Sequence, residues 1–384
     1  MIIDLTNVDF VNKGSYLMIL AVGQYLANHR PNYKIAVDMR AGNARKRKDN
    51  HLNQILRRDI YKSPVQINPM LNALATFLPE SIRSSQHVVL EKDVDAVLDA
   101  AGFAYSDQGF YPLIRMVSQR YKRLKRVGKK IIFLPQAFGP FQHVSTRTCV
   151  TEMIANADLV FARDRISLEH IRSISQDHSR IYCAPDFTNL VDGKIPSYFD
   201  PSLKQPCIIP NFRMIDKTQP QVRERYLPTL KLILSYLLQQ GMEPFFVIHE
   251  SDSDFQIARR MQDELQHQFR VIREPNPILI KGIIANCPFV ISSRYHGLVT
   301  SLSQGVPSIA TSWSHKYEML LEDYRSSQYL INFEESESEL KRMIDTLIDP
   351  ETRQKVKDEL ILAGNEQKKQ TISMWQKVLD CLEA

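Results

Sequence analysis

The segment at residues 289–316 places basic side chains after an apolar run, in a pattern that suits anion binding. Its sequence is FVISSRYHGLVTSLSQGVPSIATSWSHK. If residues 289–292 form a buried strand, Arg294 and His296 leave its carboxyl end two positions apart and project to the same side. A helix starting near Gly297 would point its positive N-terminal end at the same spot. This spot suits a phosphate or a carboxylate, and an imidazole there can also exchange a proton near neutral pH.

The same segment continues into a second strand and a lysine. Gly305 and Pro307 fit a tight turn into the strand SIAT, whose carboxyl end would deliver Lys316 to the same face. A simpler alternative is that Arg294 pairs with a carboxylate while His296 only caps or packs against the helix. Both interpretations require the same strand–helix–strand unit.

The elements that position these residues follow an α/β pattern. Short runs rich in Val, Ile and Phe alternate with longer segments of helical period, which is typical of parallel βαβ units. The chain has 384 residues, more than one domain usually holds, and its composition changes at 193–206, where prolines indicate a linker. We therefore predict one domain over 1–192, a second over 207–333, and C-terminal helices over 334–384, the last of which could pack back on the first domain.

Composition favours a cytoplasmic protein. Five cysteines show no Cys-x-x-Cys pair and no zinc-ligand spacing, which favours a reducing compartment and predicts no metal. The start, MIIDLTNVDF, lacks the basic region of a signal peptide, and no apolar run reaches the roughly 20 residues that a membrane span needs. The net charge of +6 suits anionic small molecules or phospholipid headgroups.

Two basic segments, at 40–48 and 120–130, leave a peripheral contact with the inner face of the membrane open. The alternative is an ordinary solvated surface, in which Tyr121 and Leu124 face inward from a short helix. The basic residues expected around that helix are Arg120, Lys122, Arg123, Lys125 and Arg126. No aromatic residues interleave with them at stacking spacing, so nucleic acid is not expected as a partner.

Five motifs in a fixed order resemble the polysaccharide pyruvyl transferase family. SSRYHGLVTSLSQGVPSIATSWSHK resembles the family's C-terminal signature, with its Arg-x-His pair, Gly-x-Pro turn and downstream lysine. The stretches NKG, LPQAFGPF, FARDRIS and APDF resemble its Asn-x-Gly, Pro-Gln-x-x-Gly-Pro, Arg-Asp-x-x-Ser and Pro-Asp elements. Ser15 departs from the pattern, because the family commonly has Asp after the glycine.

The resemblance implies a GT-B-like fold, in which two Rossmann-like domains with parallel sheets face each other across a cleft. It also implies transfer of a pyruvyl group from phosphoenolpyruvate to two hydroxyls of a sugar, which forms a cyclic ketal. The sugar would belong to a polysaccharide, a glycoconjugate or a lipid-linked precursor. Phosphoenolpyruvate would be the donor co-substrate, with no other cofactor and no metal required.

This chemistry suggests roles for the basic residues. Phosphoenolpyruvate carries a carboxylate and a phosphate, which suit the guanidinium fork of Arg294 and, by the resemblance, of Arg163. Lys316 would add a point charge. Carbon 3 must gain a proton while cationic character develops at carbon 2, and we expect His296 to supply it.

Other polar residues follow predicted strands or precede helices. The loop from Asn12 to Gly14 could turn its amides toward an anion or sugar hydroxyls, or could be an ordinary turn. Gln136, at the end of IIFLPQ, could bind substrate through its amide. Arg213 and His249 follow strands of the second domain, and His249 could act as an alternative acid or bind acceptor hydroxyls.

Four acidic residues have structural explanations that we favour. Asp164 is expected to cap a helix or hold Arg163, and Asp186 is expected to be structural. The Asp-x-Asp pattern at 252–254 resembles a metal-binding motif, but acids in the first turn of a helix explain it better.

Two other functions stay open. A GT-B-like glycosyltransferase would use a nucleotide sugar, although the sequence shows no signal for recognition of a base and ribose. A degenerate relative could bind saccharide without catalysis, and the departure at Ser15 is the one feature that favours it.

Overall fold

The computed structural model describes residues 1–56, 77–311, 314–334 and 336–384. The chain divides into two compact units, and neither is one continuous stretch. The first contains residues 1–10, 18–187 and 370–384, and the second contains residues 11–17 and 188–369.

The first unit is built on a parallel sheet. Its strands are β1 (Ile2–Thr6), β2 (Lys34–Asp38), β3 (Asn53–Leu56), β4 (Val88–Leu90), β5 (Ala96–Asp99), β6 (Lys130–Gln136), β7 (Leu159–Ala162) and β8 (Ile181–Cys183). They lie in the order β4-β3-β2-β1-β5-β6-β7-β8, and each neighbouring pair is parallel. Its helices are α1 (Lys13–His29), whose start is grouped with the second unit, α2 (Ala44–Asp49), α3 (Glu80–Ser85), α4 (Tyr111–Arg126), α5 (Val144–Ala155) and α6 (Arg165–Ile174).

The second unit has the same architecture. Its strands are β9 (Cys207–Ile209), β10 (Phe245–Val247), β11 (Val271–Ile272), β12 (Val290–Ser292), β13 (Ser308–Thr311) and β14 (Leu330–Ile331), in the parallel order β11-β10-β9-β12-β13-β14. Its helices are α7 (Arg213–Asp216), α8 (Pro220–Gln239), α9 (Asp252–Leu265), α10 (Pro277–Ala285), α11 (Tyr295–Leu302), α12 (His315–Asp323), α13 (Glu337–Ile348) and α14 (Pro350–Glu383). The end of α14 is grouped with the first unit.

The central strands are buried, as expected for parallel sheets. Every residue of β5, β7, β12 and β13 is buried, which explains why these strands read as continuous apolar runs rather than as alternating patterns. The predicted α/β class with parallel sheets is confirmed.

In each sheet, the order in which the chain adds strands reverses at one pair of neighbouring strands. In the second unit the chain runs from β9 outward to β10 and β11, and then returns to β12 on the other side of β9. In the first unit the same reversal lies between β1 and β5. Ligands of open α/β sheets bind outside the carboxyl ends of the strands at such a switch point. The residues that follow β1, β5, β9 and β12 are therefore the positions to inspect for a site.

The last helix is longer than its sequence pattern indicates. The pattern predicts a helix around 366–382, whereas α14 begins at Pro350. Gly364 lies inside α14, where a β-carbon added to it would lie 3.7 Å from the carbonyl oxygen of Ser303 and 3.7 Å from Cε1 of Tyr324. Trp375, near the end of α14, is fully buried in the first unit and stacks on Tyr25.

The basic helix α4 is largely paired with acids. The burial of Tyr121 and Leu124 is confirmed, but Arg120 is only 3% exposed and does not lie on the helix surface as predicted. The reason is that two carboxylates reach it, since its guanidinium donates to Asp4 and Glu91 at 2.5 and 2.6 Å. The remaining pairs are Lys122 with Glu152, Arg123 with Glu91 and Lys125 with Asp158.

None of the helices in the described ranges has both the length and the apolar character needed to cross a membrane.

Candidate active site

Hydrogen bonds at Ser293 fix the chain where it leaves β12. The N–H of Ser293 donates to the carbonyl of Ile209 at 2.9 Å. Its carbonyl accepts from the side chains of Asn211 and Tyr317, both at 2.9 Å. Its hydroxyl lies 2.8 Å from that of Tyr226. The backbone that carries the next residues of the Arg-x-His motif is therefore held from several sides at the switch point.

Arg294 is buried and forms ion pairs with two acids. Its Nη2 donates to both carboxylate oxygens of Asp254 at 2.6 Å, and its Nη1 donates to Glu250. Asp254 is fully buried and also accepts from the N–H of Phe212. Burial lowers the pKa of Arg294 to about 10 and raises the pKa of Asp254 to about 6, so both groups are charged at pH 7. Within the described residues, Nε of Arg294 has no hydrogen-bond partner.

These contacts match the part of the simpler alternative in which Arg294 pairs with a carboxylate. Of the five N–H groups of Arg294, the one on Nε and the second one on Nη1 are donated to neither Asp254 nor Glu250. Glu250 also accepts from Arg213 at 3.1 Å. Arg213 lies at the start of α7, beyond the end of β9, and is exposed.

His296 packs against Gly14, which lies in the first turn of α1. A β-carbon added to Gly14 would lie 2.0 Å from Nδ1 and 2.3 Å from Cγ of His296, far inside contact distance. Any residue larger than glycine would collide with the ring. The ring of Tyr295 lies edge-on to that of His296 at 5.5 Å.

The side chain of Asn12 accepts hydrogen bonds at the N-terminus of α1. Its Oδ1 accepts from the N–H groups of Gly14 and Ser15 at 2.9 and 3.3 Å. These two amides are therefore used within the loop, as in the ordinary-turn alternative, rather than presented to an anion.

His249 lies among basic side chains. It is 2% exposed, and burial together with Arg294, His296 and Lys13 lowers its pKa well below 6.5. The imidazole is therefore neutral at pH 7. A neutral imidazole can accept a proton or bind a hydroxyl, but it holds no extra proton to donate as an acid.

The free energy of unfolding should fall as the pH drops below about 6.5, because His249 takes up a proton in the unfolded chain but stays neutral in the folded protein. The slope should be about 1.4 kcal/mol per pH unit for one proton, and His249→Gln should reduce the slope by that amount. Urea unfolding of both proteins between pH 7.5 and 5 measures this difference. Comparison with the variant is needed because the raised pKa of Asp254 acts in the opposite direction below pH 6. Equal slopes would show that the burial of His249 does not govern its titration.

Lys316 lies in the first turn of α12, after β13. Its Nζ lies 5.7 Å from the ring centre of Tyr295 and 5.5 Å from that of Tyr317, within range of a cation–π contact. Because the ring of Tyr295 in turn contacts His296, the lysine belongs to the same cluster.

Gln136 and Arg163 lie together in the first unit. The N–H of Arg163 donates to the carbonyl of Gln136 at 3.0 Å, and its guanidinium pairs with Asp186 at 3.2 Å in a buried ion pair. Asp164 accepts from the N–H of Ser167 at 2.7 Å, so the predicted helix cap is confirmed.

The second unit thus brings together seven of the predicted site residues, which are Asn12, Gly14, Arg213, His249, Arg294, His296 and Lys316. Lys13, Glu250 and Asp254 belong to the same cluster and were not among the predicted site residues. Lys13 belongs to the NKG motif, so the sequence pattern could have indicated it as a site residue. Asp254 lies in the first turn of α9, as expected of the Asp-x-Asp pattern. No group of His, Cys, Asp and Glu suited to a metal ion occurs in the part of the chain that the structure describes.

Comparison with known proteins gives one family and a set of similar folds. A family model described as polysaccharide pyruvyl transferase matches residues 12–315. No curated protein matches the chain.

Several solved structures share the fold across nearly the whole chain. The Anabaena protein HepE in complex with UDP and glucose has a TM-score of 0.57 at 12% identity, over 100% of this chain and 99% of that one. The S. aureus protein MnaA with UDP has a TM-score of 0.57 at 11% identity, over 95% of this chain and 94% of that one. The UDP-GlcNAc 2-epimerase of Methanocaldococcus jannaschii with UDP-GlcNAc and UDP has a TM-score of 0.56 at 11% identity, over 92% of this chain and 94% of that one. The likeness confirms the predicted GT-B-like class of two Rossmann-like domains.

Proposed function

Because the chain belongs to the polysaccharide pyruvyl transferase family, we propose that it transfers a pyruvyl group from phosphoenolpyruvate to two hydroxyls of one sugar. The products are a cyclic ketal and inorganic phosphate. The observation that carries the proposal is the cluster of basic side chains at the switch point of the second unit. There, the charges of Arg294, His296 and Lys13 all lower the pKa of the buried His249. A small ligand with several negative charges, such as phosphoenolpyruvate, suits this cluster.

The reaction needs one proton at carbon 3 and releases two from the sugar. His296 donates a proton to carbon 3 while a first sugar hydroxyl bonds to carbon 2. The bond between carbon 2 and the phosphate oxygen then breaks, and a second hydroxyl bonds to carbon 2 to close the ketal. One hydroxyl proton restores His296, and the other leaves with phosphate or solvent. The scheme requires no metal.

The surrounding residues have supporting roles in this proposal. Neutral His249 orients a hydroxyl or accepts its proton. Lys316, Lys13 and Nε of Arg294 attract the donor's anionic groups, while Asp254 and Glu250 hold the guanidinium in place. The role of Arg163 at the donor stays a prediction from the resemblance.

A glycosyltransferase that uses a nucleotide sugar is the second candidate. It is supported by the similar solved structures that contain UDP. Their identities of 11–12% leave the ligand of this chain open, so the two candidates must be separated by binding measurements.

Calorimetric titration with phosphoenolpyruvate should give saturable binding, weakened about tenfold or more in Lys13→Met because a charge-assisted contact is worth about 1.5–3 kcal/mol. Lys34→Met, at an exposed lysine in β2, is the matched control and should bind as the wild type does. UDP, UDP-glucose and UDP-GlcNAc are titrated in parallel. Binding of a nucleotide sugar without phosphoenolpyruvate would refute the pyruvyl transferase proposal in favour of the second candidate.

Gly14→Ala should lower the rate of pyruvyl transfer by about 10²-fold, because the new methyl group displaces the ring of His296. Gly23→Ala is the matched control on the same helix, since a β-carbon there would meet nothing within 4 Å. The control should keep its activity and gain about 0.5–1 kcal/mol in the free energy of unfolding. Steady-state assays and urea unfolding measure both effects. Full activity of Gly14→Ala would remove His296 from the proposed mechanism.

A further inference from the structure

The switch point of the first unit carries a buried polar cluster centred on Asp99, the last residue of β5. The carboxylate is fully buried, and its Oδ2 accepts hydrogen bonds from the hydroxyls of Tyr105 and Tyr121. The same oxygen accepts from the side chain of Asn7, and Oδ1 accepts from the N–H of Ala101. Four donors thus fix the orientation of Asp99.

Asp99 in turn orients the amide of Asn7, the first residue after β1. The Nδ2 of Asn7 donates to Asp99 Oδ2 at 3.1 Å and to the hydroxyl oxygen of Tyr105 at 2.8 Å. Because a carboxylate only accepts, the nitrogen must face it, and Oδ1 must face the opposite side of the amide. This oxygen accepts no hydrogen bond from any residue within the described ranges. Asn7 is half-buried, with a left-handed φ of 61° that asparagine adopts more readily than most residues.

Gln136 supplies a second oriented amide oxygen on the other side of β5. It ends β6, and its Nε2 donates to the main-chain carbonyl of Asp99 through a long contact of 3.5 Å. Its Oε1 is buried and has no hydrogen-bond partner in the described part of the chain. Most buried acceptors in folded proteins have a partner, so an acceptor that lacks one indicates a missing ligand group or water.

The chemistry of the cluster selects the ligand class. Both oxygens are acceptors, and the amide of Asn7 lies against the carboxylate of Asp99. An acceptor oxygen repels the oxygens of an anion, whereas it binds a hydroxyl donor. The cluster therefore suits a neutral polyol and not the phosphoenolpyruvate donor.

We propose that Asn7 and Gln136 bind the hydroxyls of the sugar that accepts the pyruvyl group, Asn7 directly and Gln136 directly or through one water molecule. This assignment of an acceptor site rests on the proposed function. Asp99 and Tyr105 are positioning residues, since both accept from the Asn7 amide and hold it in place.

The test measures glycoside binding with saturation-transfer NMR in the absence of phosphoenolpyruvate, so that no transfer takes place, and phosphoenolpyruvate binding is measured separately by calorimetry. The probes are the methyl glycosides of glucose, galactose, mannose and N-acetylglucosamine. Asn7→Gly removes the amide and still accepts the positive φ, and Gln136→Leu removes the buried acceptor without adding charge. Each variant should weaken binding of the preferred glycoside about tenfold, the loss of one hydrogen bond.

Tyr121→Phe is the matched control, because it removes a donor to the same carboxylate oxygen and leaves Nδ2 of Asn7 bonded to both of its partners. It should change glycoside binding by less than about threefold, and phosphoenolpyruvate binding should stay within about twofold in all variants. Unchanged glycoside affinity in Asn7→Gly and Gln136→Leu, or no saturable glycoside binding by the wild type, would overturn the inference. Failure of the wild type to bind phosphoenolpyruvate would instead count against the proposed function, since the glycoside arm is read separately.

Discussion

Replacing His296 with glutamine should lower the rate of pyruvyl transfer by about 10²–10⁴-fold and leave phosphoenolpyruvate binding measurable. Glutamine keeps a polar side chain of similar size beside Gly14 but cannot exchange a proton near neutral pH. The rate loss corresponds to the usual contribution of a positioned general acid. Phosphate release with a reacting sugar and calorimetry with phosphoenolpyruvate report the two effects.

The matched control is His143→Gln, at an exposed histidine before α5, which should react at the wild-type rate. If His296→Gln turned over like the wild type, the proton at carbon 3 would have to come from another group. If it lost donor binding as well, His296 would be a ligand of the anion and its role as acid would be unproven.

Arg294→Ala should lower the free energy of unfolding by about 3–5 kcal/mol, because it removes the main partner of a buried carboxylate. Asp254 would keep only backbone contacts, from Phe212 and Ser251, together with its buried charge. Donor binding should weaken at the same time. Urea unfolding at pH 7 gives the stability change, and titration with phosphoenolpyruvate gives the binding change.

The double variant Arg294→Met with Asp254→Leu separates stability from binding. Replacing both members of a buried ion pair with apolar residues is often neutral or stabilising, so this protein should recover much of the lost stability. Glu250 keeps its contact with Arg213 in the double variant. Recovery of donor binding along with stability would show that Arg294 serves only the fold.

The fold was largely predictable because its signals are local. Strands β9 and β13 begin and end where the sequence pattern predicts, since short apolar runs bounded by polar turns mark buried parallel strands. The fit of His296 against Gly14 was not predictable, because 282 positions separate the two residues and no local pattern encodes their contact.

The burial of Asp254, which pairs with Arg294, could have been predicted from helical periodicity. Asp254 precedes Ile257, Ala258 and Met261 by three, four and seven positions, so it occupies the apolar face of α9. An acid on such a face must be paired when buried, and a nearby arginine with the same requirement is its natural partner. The predicted burial of Asp254 would still have left its partner open among several basic residues.

The division of the chain also affects the order in which the protein can be completed during synthesis. The first unit includes residues 370–384, with the fully buried Trp375, so its core stays incomplete until this segment has left the ribosome. The second unit needs residues 11–17, which are made long before the rest of it. We therefore expect the N-terminal half of the nascent chain to remain partly unfolded, and dependent on chaperones, until residues 370–384 have been made.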